Sequence, residues 1–96
     1  MRVVYDDEQR AHALRERGLD FARCGQVFNG TEATREDVRF GYRETRWITV
    51  GLLDGRMVIV VWTERDGDRR IISLRKANER EQAQFGGRTR STDVSR

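Results

Sequence analysis

Two apolar runs separated by the dipeptide Asp54-Gly55 constrain this chain more than any other feature. The runs, Trp47–Leu53 and Met57–Trp62, are rich in β-branched and aromatic residues. An Asp-Gly pair between such runs is typical of a two-residue turn with positive φ at both positions, which joins two antiparallel strands. A second turn at 66–68 leads into a third run, Ile71–Leu74. The sequence therefore predicts an antiparallel meander of three strands.

The middle run of this meander should form its central strand. Residues 58–61 read Val-Ile-Val-Val, with no alternation of apolar and polar positions. A strand of this composition is usually covered on both faces. We therefore expect helices on at least one side of the sheet.

The first third of the chain predicts a short strand and two helices. Arg2–Tyr5 favours a strand, and Asp6 and Gly18 are typical of the start and the end of a helix. A second helix, capped by Asp20, should cover the sheet with its apolar face. That face consists of Phe21, Cys24, Val27 and Phe28.

The remaining segments complete the fold prediction. Residues 31–42 are polar without a clear period and indicate a loop, with an extended segment within it as the alternative. Asn78 to Glu81 has the spacing that begins a short helix ending near Phe85. The order β-α-α-β-β-β-α indicates an α+β fold, an antiparallel sheet with helices packed on it. We expect a single domain over 1–86 and a disordered basic tail over 87–96.

Several function classes are disfavoured by what the sequence lacks. The single Cys24 and single His12 argue against a disulfide framework and a Cys/His metal site, and no clustered acidic motif or phosphate-cradling glycine loop is present. We therefore expect no metal and no cofactor. Since no apolar run reaches transmembrane length and no signal peptide is recognised, we expect a cytoplasmic protein without a membrane partner.

Positive charge is concentrated where the meander lies. Residues 1–41 hold seven Arg and eight acidic residues, whereas 42–96 hold twelve Arg and Lys and eight acidic residues. Many of these arginines stand at strand ends, where guanidinium forks suit phosphate oxygens. This distribution is compatible with a nucleic-acid-binding face on the sheet. The alternative is that these arginines only solvate the strand ends.

Motifs spread over most of the chain resemble the BrnT family of type II toxin–antitoxin toxins. The most specific segment is 70–77, Arg-Ile-Ile-Ser-Leu-Arg-Lys-Ala. Further matching segments are Tyr5-Asp6, 17–21 (Arg-Gly-Leu-Asp-Phe), Val27-Phe28, 44–46 (Glu-Thr-Arg), Gly55-Arg56 and 61–63 (Val-Trp-Thr). The chain departs from the family pattern at Arg17, where a histidine is usual, and at Phe85, where a tyrosine is usual.

The resemblance implies a RelE-like fold and a small ribonuclease that inhibits translation. It also implies neutralisation by a BrnA-like antitoxin with a ribbon-helix-helix DNA-binding domain, so that DNA is contacted only through the antitoxin. RNA is then the expected substrate.

A ribonuclease without a metal ion uses the substrate's 2′-hydroxyl to attack the adjacent phosphate and needs a base and cations around the phosphorus. We predict that Glu44 is the base. The predicted phosphate clamp consists of Arg46, Arg65, Arg70 and Arg75. We further predict that Lys76 contacts RNA and that Trp62 stacks on an unpaired base. Alternatively, Trp62 is a core aromatic and Glu44 only pairs with Arg46 or Arg70.

A non-catalytic function is the alternative to the nuclease. In it the sheet and helices form a surface that binds the antitoxin and RNA or the ribosome, with weak or absent chemistry. Direct DNA recognition is less favoured, because no helix is both strongly basic and equipped with base-reading side chains.

Overall fold

The structure of this chain, a computed structural model, describes residues 1–84. A sheet of five strands in the order β1-β5-β4-β3-β2 forms its centre. The elements are β1 (Val3–Val4), α1 (Asp7–Arg17), a 3₁₀ helix (Phe21–Val27), β2 (Ala33–Glu36), β3 (Trp47–Leu53), β4 (Arg56–Arg65), β5 (Asp68–Lys76) and a helix over 79–84, called α2 below. The predicted α+β class is confirmed.

The meander forms with its predicted turns. Asp54 and Gly55 both have positive φ, 54° and 76°, and Asp66 and Gly67 repeat the pattern with 55° and 80°. Strand β4 pairs with β3 on one side and with β5 on the other, which confirms its central position. A register shift between β4 and β5 leaves Ile72 without a direct partner.

Two features of the sheet differ from the prediction. Strand β1 pairs with β5 in parallel, so the sheet is mixed. A parallel pair needs a long crossover, and here nearly all the other elements lie between the two strands. The segment 31–42 contains β2, an edge strand paired antiparallel to β3, which the predicted order of elements did not include in the sheet. Its side chains are mostly exposed, so it lacks the apolar alternation that would have predicted a strand.

One face of the sheet carries the main core. Side chains of alternate residues on β3, β4 and β5 pack there against α1 and the 3₁₀ helix. The apolar residues of the second predicted helix recur every three positions, which is the period of a 3₁₀ helix. Phe21, Cys24 and Val27 are accordingly all buried. Gly51 of β3 leaves room for this helix, since a Cβ there would lie 2.8 Å from Cγ1 of Val27.

Residues 1–84 cover the opposite face of the sheet only in part. A smaller buried cluster of Ile48, Ile59 and Ala77 lies there, with Val50 and Val61 partly buried beside it. Helix α2 follows directly after this cluster in the chain. We call this the open face of the sheet.

The ends of α1 match the prediction. The carboxylate of Asp6 accepts a hydrogen bond from the backbone N–H of Gln9, and Gly18 ends the helix with a φ of 68°. The predicted helix end near Phe85 and the predicted tail over 87–96 lie outside the described residues. Within residues 1–84, no helix has both the length and the apolar character needed to cross a membrane.

Candidate functional site

Three of the predicted site residues meet at one end of the sheet. Glu44 precedes β3, and its two carboxylate oxygens each lie 3.5 Å from a guanidinium nitrogen, one of Arg46 and one of Arg65. Arg70 lies opposite Thr63 at the adjoining end of the β4–β5 ladder. We call Glu44, Arg46, Arg65 and Arg70 the strand-end cluster. Alternation along the strands places its three arginines on the open face.

Arg46 is the most firmly held member of this cluster. Its guanidinium carbon lies 4.0 Å from the centre of the Tyr42 ring, a cation–π contact. Its side chain is 29% exposed, while its buried Nε–H has no hydrogen-bond partner among residues 1–84. The guanidinium is therefore fixed in place with part of its hydrogen-bonding capacity unused.

The buried carboxylate of Asp37 accepts hydrogen bonds from side chains of the loop that precedes Arg46. It accepts hydrogen bonds from Nε of Arg39 at 2.8 Å, Nη2 of Arg39 at 3.0 Å and the hydroxyl of Tyr42 at 3.2 Å. The hydrogen bonds from Arg39 hold the pKa of Asp37 well below its ordinary value. Asp37 also extends the β2–β3 pairing, because its N–H donates to the carbonyl of Arg46. Asp37 therefore positions both Arg39 and Tyr42.

A second group of arginines borders a concavity of about 320 Å³ on the open face. Its floor is aliphatic. The floor residues are Ile48, Val50, Ile59 and Val61, and the bordering cations are Arg35, Arg39 and Arg75. We call this concavity the arginine groove. Of its three cations, the sequence predicted only Arg75 as a site residue.

Arg75 is already paired within the groove. Its Nη1 and Nη2 donate to the two carboxylate oxygens of Glu81 at 2.8 and 2.6 Å. These hydrogen bonds raise the pKa of Arg75, whereas the positive charge of Arg39 acts on it in the opposite direction. Arg39 is thus close enough to Arg75 for their charges to repel.

The predicted clamp is therefore divided between two places on the same face. Arg70 and Arg75 are five residues apart on β5, a separation of roughly 17 Å in an extended strand. Arg70 belongs to the strand-end cluster and Arg75 to the arginine groove. One phosphate cannot contact both, whereas two phosphates of one extended ligand that crosses the open face can contact one arginine each.

Trp62 and Lys76 lie away from both places. Trp62 is 7% exposed, its Nε1–H donates to Oγ1 of Thr49 at 2.8 Å, and Arg69 and Phe28 cover its ring. This placement favours the core role over the predicted stacking role, because no base can reach the ring while the core is closed. Lys76 lies opposite Val58, on the face that carries the helices, and its side chain points into solvent.

Three other side chains that could take part in chemistry lie away from the open face. Arg17, at the position where the family pattern has histidine, donates to the carbonyl of Leu74 at 2.9 Å and ties α1 to β5. Burial raises the pKa of Cys24 to about 12, so its thiol stays protonated. His12 is exposed on α1. None of these three contributes to the open face.

Sequence reasoning missed Arg35, Asp37, Arg39 and Tyr42 as site residues. The available signal was the spacing of two between the charged residues at positions 35, 37 and 39, which is the period of a strand. Glu36, which lies between them, is charged as well, so the strand showed no alternation of polar and apolar residues that marked an inward face.

The fold and these two arginine groups define a small α+β protein whose open sheet face suits phosphate groups. Comparison with family models gives a match over residues 5–81 to the family described as ribonuclease toxin, BrnT, of type II toxin-antitoxin system. The chain belongs to this family, which confirms the resemblance seen in the sequence. A type II toxin has an antitoxin as its partner. No curated protein matches this chain.

Proposed function

We propose that this toxin is a metal-independent endoribonuclease that cuts RNA at the strand-end cluster and thereby inhibits translation. The observation that carries the proposal is the approach of Arg46 and Arg65 to one carboxylate, Glu44, on the open face, where Arg70 lies on the adjoining strand opposite Thr63. Such a group provides cations for a phosphate and a base beside them. The proposed place of action is the cytoplasm, where the cell translates its RNA.

The proposed reaction is a transesterification. The 2′-oxygen of the substrate attacks the adjacent phosphorus, its proton passes to Glu44, and the bond from phosphorus to the 5′-oxygen breaks. The 5′-oxygen takes a proton from water as it leaves, and Glu44 afterwards returns its proton to solvent, so the products are a 2′,3′-cyclic phosphate and a 5′-hydroxyl. Arg46 and Arg70 stabilise the charge that develops on the phosphoryl oxygens. Arg75, in the arginine groove, binds a different phosphate of the same strand.

The first experiment is RNA cleavage in EDTA. Purified toxin should cut single-stranded RNA and leave the cyclic phosphate, which mass spectrometry identifies. Arg46→Ala and Arg70→Ala should each reduce the cleavage rate by roughly 10²-fold, since each removes one preorganised charge contact to the transition state.

The matched control is Arg56→Ala, which removes an exposed arginine from the other end of the hairpin. It should cut like wild type. Melting temperatures of all three variants identify any that lose activity by unfolding. Normal cleavage by well-folded Arg46→Ala and Arg70→Ala would contradict the site assignment, and an absolute need for a divalent ion would contradict the mechanism.

The partner we propose is a BrnA-like antitoxin with a ribbon-helix-helix domain. The family membership supports an antitoxin, and the open face offers a place where it would exclude RNA. Residues 1–86 are proposed to form one toxin domain that is sufficient for this binding. Co-purification of this domain with the antitoxin, followed by loss of RNA cleavage, tests both statements.

A second candidate is a non-catalytic module that binds RNA or the ribosome. It is favoured by one observation: Glu44 already lies between two arginines, an arrangement that a purely structural ion pair also produces. Expression of the toxin separates the two candidates. Growth arrest with intact cellular RNA would favour the module, whereas new RNA ends would favour the nuclease.

A further inference from the structure

Glu81 makes two kinds of contact at once. Its carboxylate Oε1 accepts a hydrogen bond from the N–H of Asn78 at 2.8 Å, and its own N–H donates to the side chain of Asn78 at 2.8 Å. This reciprocal pair is a capping box that begins α2. The same carboxylate also receives both nitrogens of the Arg75 fork. Capping explains the first kind of contact but does not require the second.

The fork of Arg75 is where a phosphate would bind in the arginine groove. Carboxylate and phosphate both offer two oxygens at the spacing of a guanidinium fork. Among the three arginines of the groove, Arg39 is likewise held by a carboxylate of this chain, Asp37. Arg35 makes no ion pair with any of residues 1–84.

We propose that Glu81 occupies the phosphate-binding fork of Arg75 and that an RNA phosphate displaces it, so that α2 acts as a latch on the arginine groove. This inference rests on the proposed function for the identity of the ligand. RNA would first meet Arg35, which has no ion-pair partner among residues 1–84, and then take Arg75 from Glu81. The latch makes the groove selective for ligands that can compete with a carboxylate held in place.

The exposure of the pair makes displacement feasible. The side chains of Arg75 and Glu81 are 46% and 24% exposed, so a competing anion can reach the pair and solvent partly screens its charges. The hydrogen bonds from Arg75 lower the pKa of Glu81 to about 2, so Glu81 is charged at every pH at which RNA binding is normally measured. The latch therefore responds to competing phosphate and not to pH.

The size of the groove favours a nucleotide over a protein segment. Its volume of about 320 Å³ lies at the lower end of the range for small-molecule pockets, roughly 300–1,000 Å³. A helix of a partner protein would need a longer surface. The repulsion between Arg39 and Arg75 would also be relieved by a compact anion placed between them.

The test measures binding of a 2′-O-methyl oligoribonucleotide, which lacks the attacking hydroxyl and cannot be cut by the proposed reaction. Glu81→Gln keeps the capping hydrogen bond, since glutamine also serves in a capping box, but loses the charge that holds Arg75. The variant should bind the oligonucleotide roughly three- to tenfold more tightly, because the fraction of molecules with a free fork rises.

Two further variants make the result specific. Glu79→Gln removes the same charge from an exposed position of the same helix and should change the affinity less than twofold. In an Arg75→Ala background, Glu81→Gln should have no effect, because the fork is gone. Equal affinities of Glu81→Gln and Glu79→Gln, or a gain that persists without Arg75, would overturn the latch.

The outcomes separate the latch from the proposed function. If wild type fails to cut RNA but Glu81→Gln binds the oligonucleotide more tightly in an Arg75-dependent manner, the nuclease proposal fails and the latch stands. If wild type cuts RNA and Glu81→Gln leaves binding unchanged, the nuclease proposal stands and the latch fails. Suppose that Glu81→Gln binds a ten-residue poly-glutamate peptide more tightly than wild type does but binds the oligonucleotide with unchanged affinity. This result would show that the groove takes an acidic protein segment and would overturn the proposal.

Discussion

Substitution of Trp62 tests whether this side chain stabilises the fold or binds RNA. In the substitution Trp62→Phe, the Nε1–H that donates to Thr49 at 2.8 Å is lost. The hydrogen bond is worth about 1 kcal/mol. The smaller ring leaves about 40 Å² of apolar contact unfilled, which costs about 1 kcal/mol at roughly 25 cal/mol per Å².

The expected loss is therefore about 2 kcal/mol in the free energy of unfolding, equivalent to a fall in melting temperature of about 8–16 °C for a domain of this size. Urea denaturation followed by fluorescence measures the first quantity and calorimetry the second. Trp47→Phe is the matched control. Trp47 is half-buried and makes no side-chain hydrogen bond with residues 1–84, so its loss should be at most half as large.

RNA affinity completes this test. Below its melting temperature, Trp62→Phe should bind the 2′-O-methyl oligonucleotide as tightly as wild type does, because the ring faces the core. A stacking role for Trp62 requires the opposite pattern, which is unchanged stability together with clearly weakened binding. Observing that pattern would show that the Trp62 ring is accessible and that the reasoning from burial is mistaken.

Two further predictions concern stability. Gly51→Ala should cost about 1–3 kcal/mol by overpacking, since the added Cβ would lie 2.8 Å from Cγ1 and 3.1 Å from the carbonyl oxygen of Val27; thermal unfolding measures this, and Gly41→Ala, where nothing lies within 4 Å, should be nearly neutral. Acid should destabilise the fold, because hydrogen bonds from arginines lower the folded-state pKa of Asp37 and Glu81. A lowered pKa stabilises above the ordinary value and this stabilisation is lost as pH falls, here from about 4.5 to about 2 for Glu81. Melting temperatures measured across this window should fall less steeply for Glu81→Gln than for wild type, and an identical slope would contradict the assignment.

Local signals in the sequence predicted the centre of the fold. The Asp54-Gly55 turn and the uninterrupted run at 58–61 were enough to place β4 in the middle of the sheet, because turn chemistry and burial are properties of short segments. The edges were harder to predict. Strand β2 forms because β3 offers it hydrogen bonds, including a 2.7 Å bond between the hydroxyls of Thr34 and Thr49, and a contact across 15 residues leaves no local pattern.

The candidate site was predicted only in part, because some of its contacts are local in sequence and others depend on the whole sheet. The approach of Glu44 to Arg46 follows from their spacing, and the register of the hairpin adds Arg65. The division between the strand-end cluster and the arginine groove depends on the length of β5, which places Arg70 and Arg75 at different ends. The burial of Trp62 depends on Phe28 and Arg69 folding over its ring, and residue type alone cannot distinguish that from an exposed aromatic.

Several arginines of the open face pair with the chain's own carboxylates, a role to which arginine is better suited than lysine. The chain has 18 Arg and one Lys, and carboxylates hold Arg39, Arg46 and Arg75. A guanidinium fork accepts a carboxylate or a phosphate with the same geometry, whereas a lysine ammonium has no such fork. The same side chains can therefore stabilise the free toxin through internal ion pairs and bind RNA once a phosphate competes. Asp37 is buried and Glu81 is partly exposed, so RNA would displace Glu81 while Asp37 keeps Arg39 in position.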